Sequence, residues 1–146
     1  MFNHLKSDTN DPSYQSIYSN MTLEDYATHG YAENNYLTRF LSNKMGGKVD
    51  YLDLAIAKKI LKEKCVIGLY AEFEKSVHIF EQYFKWNTKG DGKTRERCIQ
   101  QLVDKVKENN AVHNEIRKGS KEWSLLARQN MFDLELYDYI TSLFSP

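Results

Sequence analysis

Residues 64–84, KCVIGLYAEFEKSVHIFEQYF, decide how the chain is read. They hold a short apolar run, Cys65-Val66-Ile67-Gly68-Leu69, bounded on both sides by charged segments. Its β-branched centre and short length point to a buried strand. From Ala71 to Trp86 the period changes. Phe73, Val77, Phe80 and Phe84 recur at helical spacing, so a helix follows the run directly. Ahead of it, Asp50 with Asp53 caps a helix reaching about Lys64. The apolar positions of that helix are Leu52, Ile56, Ile60 and Leu61, with Lys58, Lys59, Lys62 and Lys64 toward water.

A single strand between two helices has no hydrogen-bond partners of its own. Helix–strand–helix is what remains of a βαβ unit cut partway through, so the chain reads as the later portion of an α/β domain. The alternative makes 65–69 helical and the whole chain α. Either way the class is mainly α, with one short buried strand near 65–69 in the first reading.

Further out, residues 1–20 carry turn formers and read as an irregular segment, leaving 21–146 as one helical domain. Thr22-Leu23-Glu24-Asp25 has the form of a capping box opening a helix to about His29. YAENNYLTRFLSN (31–43) reads as helix, and Met45-Gly46-Gly47 breaks it. Arg95–Glu108 is amphipathic. Ser120 caps a helix to about Arg128, and a last helix, Met131–Phe144, buries Phe132, Leu136, Ile140 and Leu143.

Across its 146 residues the chain balances 20 Lys plus Arg against 20 Asp plus Glu. Zero net charge removes the electrostatic case for nucleic acid or an anionic membrane as partner. It also lowers colloidal repulsion, so self-association between copies is expected. No apolar run approaches the ~20 residues that span a bilayer, and the opening MFNHLKSDTNDPS lacks the pattern of a signal peptide. Cys65 and Cys98 allow one disulfide at most; the reading taken is two buried free thiols.

For chemistry the candidates are sparse. NTKGDGKT (87–94) ends like a phosphate-binding P-loop at Gly92-Lys93-Thr94, but Asn87 stands in the first glycine position. It also follows a helical stretch where a P-loop follows a strand, so it reads as a surface loop. His4, His29, His78 and His113 are scattered without metal-ligand spacing, so no metal is expected. Asn35 and Arg39 are four apart and share one helix face, a cradle able to bind a phosphate, sulfate or carboxylate group of a substrate; a surface ion pair is the plainer account. Asn20-Met21-Thr22 is a glycosylation sequon, and Thr22 is equally explained as a cap.

The stretch 64–84 resembles the late strand and helix of carbohydrate-type sulfotransferases, with Gly68, Phe73 and Ser76 in the pattern's places. Trp123 and NMFDLELYDYITSLF (130–144) are similar to the family's closing helix through Asn130, Asp133, Glu135, Leu136, Tyr137 and Phe144. The helix ahead of the strand has the same character, and the likeness runs over roughly 20–144.

The resemblance implies a P-loop-related α/β fold, phosphoadenosine phosphosulfate as sulfuryl donor, a carbohydrate or other hydroxyl acceptor, and a place in the Golgi or secretory pathway. The donor's Lys-bearing phosphate loop has no counterpart here. The Arg and Ser that hold the donor's second phosphate usually precede a segment like MFNHL. The catalytic base is also upstream as a rule, and Tyr70-Ala71 replaces a frequent Thr-Glu. The expectation is therefore the C-terminal portion of such a domain, inactive alone. A helical interaction module is the alternative, and a small phosphate-binding enzyme built on 87–94 the weaker third.

Overall fold

The computed structural model describes residues 16–18, 20–29, 34–86, 92–111 and 116–144, with side chains of the long 92–111 helix described to residue 105. Most of the irregular segment expected at 1–20 lies outside them; within it Ser16–Tyr18 form a 3₁₀ turn. The described residues are mainly helical. In chain order the helices are α1 (Leu23–Thr28), α2 (Tyr36–Ser42), α3 (Tyr51–Lys64), α4 (Phe73–Phe84), α5 (Gly92–Ala111), α6 (Lys121–Gln129) and α7 (Met131–Phe144).

Local chemistry sets several boundaries. Thr22 and Asp25 form the expected capping box of α1, each satisfying a backbone N–H of the other. Asp50 and Asp53 do the same for α3, and the Ser120 hydroxyl accepts from Trp123 N–H at the start of α6. α2 closes on Asn43, which turns left-handed (φ 58°) and donates its N–H back into the helix.

The core is built from α3 and α7. Leu54, Ala57 and Leu61 of α3 meet Phe132, Leu136 and Ile140 of α7, with Val49 and Leu69 closing the cluster. The expected face of α3 is corrected here. Leu52 is 70% exposed and Ile56 39%, while Asp53, Leu54, Ala57 and Leu61 are inside. Asp53, buried beside that inner face, accepts from Lys44 Nζ (2.7 Å) and from Asp50 N–H (2.9 Å). The stripe 54–57–61 then faces α7. In α7 the expected Phe132, Leu136 and Ile140 are buried, but Leu143 is 46% exposed.

The strand expected at 65–69 is also corrected. The backbone is extended at Cys65 and Leu69, yet no strand is formed among the described residues. Its binding partner is a side chain. Ser76 Oγ accepts from Leu69 N–H (2.8 Å), standing in for a neighbouring strand at that one donor. Its single proton is shared between Glu72 C=O (2.8 Å) and Leu69 C=O (3.0 Å), the latter also accepting from Glu72 N–H (3.0 Å). Ile67 packs on the α3/α7 core, while Gly68 faces α4 so closely that a Cβ there would lie 2.6 Å from Phe80 Cζ. The segment is thus held between two helix layers. Lys75 Nζ donates to the Phe144 carbonyl and lies 5.6 Å from the Phe144 ring centroid, fixing α4 against the end of α7. Both cysteines, expected buried, are exposed, because Cys65 sits at the mouth of the extended segment and not within a sheet.

Candidate functional site

The residues marked as an anion cradle stand at the start of α2. Asn35 is not within that helix but immediately before it, in a left-handed conformation (φ 48°) that asparagine tolerates. This turns its side chain away from the α2 face and into the junction of α6 and α7. Asn35 Nδ2 donates to Gln129 C=O at 2.8 Å, and Oδ1 accepts from Phe132 N–H at 2.9 Å and Asp133 N–H at 3.3 Å. Its own N–H donates to Asn130 Oδ1 at 2.9 Å. The buried amide therefore caps the N-terminus of α7, where four backbone donors would otherwise go unmet.

Asp133 returns the service. Its carboxylate accepts from Leu37 N–H (3.0 Å), Thr38 N–H (2.8 Å) and the Thr38 hydroxyl (2.7 Å), capping α2. Thr38 is fully buried at this contact. Spacing in the sequence does not reveal this reciprocity, since the partners lie almost a hundred residues apart; the pattern Asn130…Asp133 is the signal that bears on it.

Arg39 faces the opposite way. Its Nε and Nη2 donate to Asn34 Oδ1 (3.1 and 2.7 Å), Nη2 to Gly47 C=O (2.9 Å) and Nη1 to Lys44 C=O (3.3 Å). These bonds stitch the α2–α3 connection. The fold brings Asn35 and Arg39 to one helix end, but their polar groups serve different neighbours, and each is occupied by protein.

A second constellation joins α4 and α5. Arg95 Nε donates to Glu81 Oε1 at 2.7 Å and Nη2 donates to Glu81 Oε2, while His78 Nδ1 lies 3.0 Å from Arg95 Nη2 and 3.3 Å from Glu81 Oε2. The guanidinium hydrogen bond holds the Glu81 carboxyl below the usual carboxylate range against a partial opposing effect of burial, and Glu81 in turn raises Arg95. His78 Nδ1 accepts from Arg95 in one tautomer and donates to Glu81 in the other, so the ring joins this pair in either form. Beside it lies an open groove of ≈ 700 Å³ walled by Tyr70, Phe73, Lys75, His78, Ile79 and Val103. This arrangement can bind through mixed apolar and polar contacts, but it pairs no nucleophile with a free base. The hydroxyls of Ser42, Ser76, Ser124 and Ser142 donate to backbone carbonyls.

Residues 87–91 of the loop resembling a P-loop lie outside the described residues, and Gly92, Lys93 and Thr94, expected in the loop, open α5 instead. Among the described residues no group of His, Cys, Asp or Glu is placed to hold a metal ion, and no helix is long and apolar enough to cross a membrane. No family model, no curated protein and no solved structure matches the chain.

Proposed function

We propose that this chain is the C-terminal, mainly helical part of a sulfotransferase-like domain, whose whole transfers a sulfuryl group from phosphoadenosine phosphosulfate to a hydroxyl acceptor, carbohydrate by class. One observation carries the reading. The residues that bear the family likeness, Gly68 and Ser76, are those that hold an extended segment between two helix layers with most of its edge unpaired. A strand of an α/β sheet lies in that way, and its missing neighbours would belong to the remainder of the domain. The second bearing of the likeness, Asn130 and Asp133, fixes the helix layer beneath it.

In the transfer this part completes the sheet, covers the donor and shapes one wall of the acceptor cleft. The donor's phosphate ligands and the base come from the remainder. Because positioned charge supplies most of the rate in such chemistry, the 146-residue chain alone leaves labelled donor and a glycan panel at background. The test compares it with the native polypeptide in which the sequence occurs. That polypeptide is expected to bind adenosine 3′,5′-bisphosphate and to sulfate a glycan; failure of both overturns the reading.

A helical interaction module is the second reading, favoured by the aromatic end of α4. There Phe84 and Trp86 stack with centroids 4.8 Å apart, and Trp86 remains 68% exposed. A partner that binds this end loses affinity on Trp86→Ala without any change in the melting of the chain.

A further inference from the structure

We propose that two copies of this chain pair antiparallel along residues 65–69. The pairing is a property of the 146-residue chain and competes with the sulfuryl-transfer reading, in which a strand of the whole domain takes this same edge. Leu69 turns both its N–H and its C=O to Ser76 Oγ. In an extended chain alternate residues present these groups to the same edge, so Cys65 and Ile67 share that edge and Val66 and Gly68 present the other. Among the described residues nothing hydrogen-bonds the backbone of Val66 or Gly68. Ile67 packs on the α3/α7 core and Gly68 lies against Phe80 of α4, while Cys65 and Gly68 themselves stay exposed. A groove of ≈ 430 Å³ walled by Val66, Ile67, Ile79, Tyr83 and Leu143 lies along the segment.

The charges select the occupant and its direction. Lys62, Glu63 and Lys64 precede the segment with one net positive charge, and Glu72, Glu74 and Lys75 follow it with one net negative charge, all six exposed. Antiparallel pairing places the lysines of one copy beside the glutamates of the other, whereas parallel pairing places like on like. With zero net charge, no long-range repulsion opposes the approach. The register that satisfies both open residues sets Val66 across from Gly68 of the second copy, and Gly68 across from its Val66. Ile67 then faces its own counterpart on the two-fold axis without exchanging hydrogen bonds. An isologous contact of this kind closes at a dimer.

Sedimentation equilibrium of the 146-residue chain is expected to show a concentration-dependent rise from 17.1 kDa toward twice that mass and no further. Lys62→Glu with Lys64→Glu weakens the dimer by roughly five- to tenfold, as does Glu72→Lys with Glu74→Lys. All four changes together exchange the flanks and restore wild-type affinity. Amide exchange in the dimer is slowed at Val66 and Gly68 and stays fast at Ile67. At concentrations too low for the dimer, these exposed substitutions leave the melting curve in place. A wild type that stays monomeric at every concentration overturns the proposal and leaves the edge to a strand of another chain or domain. Assembly beyond a dimer, or a dimer indifferent to flank charge with fast exchange at Val66 and Gly68, overturns it as well.

Discussion

The Asp133 carboxylate reaches across the fold to Thr38, accepting from its backbone N–H at 2.8 Å and its hydroxyl at 2.7 Å. Asn35, three residues earlier, caps the helix to which Asp133 belongs. The N-termini of α2 and α7 are thus one interlocked unit. Asn35→Ala and Asp133→Ala are each expected to cost about 2 kcal/mol, the upper part of the range for a lost cap, because both leave backbone donors unmet. The double variant should cost clearly less than the sum, since the first removal loosens the docking on which the second cap depends. Urea melts of the four proteins measure this; strict additivity would show two independent caps.

Ser76 is the other residue whose loss should be felt. Ser76→Ala strands the Leu69 N–H at a buried position, its C=O keeping the Glu72 N–H, and is expected to cost roughly 1–3 kcal/mol. Gly68→Ala brings a methyl group against Phe80 and Ser76 Cβ, at 2.6 and 3.0 Å in the present geometry, with a cost of about 1–3 kcal/mol. Thermal melts would show both, whereas Gly46→Ala, with nothing within 4 Å of the added Cβ, should be near neutral.

Acid should unlock two of the inter-element ties. The Lys44 ammonium holds the Asp53 carboxyl below its ordinary value, the Asp50 N–H adds to this, and burial opposes it; Arg95 lowers Glu81 in the same sense. A carboxyl whose folded value lies below its unfolded one stabilises the protein fully above the unfolded value, near pH 4 to 4.5. That contribution is lost as pH falls through the folded value. Asp53→Asn and Glu81→Gln are therefore expected to lower the melting temperature at pH 7 and to converge on wild type as pH falls through the lowered folded values. A constant offset across this window would mean that charge is not what these side chains contribute.

Lys93 tests the half-match to a phosphate loop. Gly92, Lys93 and Thr94 open α5, and a surface role predicts no calorimetric signal with ATP or with phosphoadenosine phosphosulfate for either wild type or Lys93→Ala. Heat in the wild type that vanishes in the variant would assign the loop to nucleotide binding.

What the sequence by itself determined is what depends on near neighbours in the chain. The capping box at Thr22 and Asp25, the one at Asp50 and Asp53, the cap at Ser120 and the buried stripe Phe132, Leu136, Ile140 all follow from contacts within one or two helical turns. Residue spacing suffices to read such contacts. The tertiary structure decided the rest. Periodicity alone put Leu52 and Ile56 inside, but α7 packs on the neighbouring stripe Leu54, Ala57 and Leu61 and leaves them exposed. β-branching made a strand of 65–69, but a strand exists only through a second strand, and here a serine hydroxyl takes that place at one residue. Helical spacing put Asn35 and Arg39 on one face, but a left-handed backbone at Asn35 sent its amide to α7 and left Arg39 to the loop. In each case the deciding group lies outside the local window, so pattern could show that a polar or apolar side chain needed a partner and only the fold could say which.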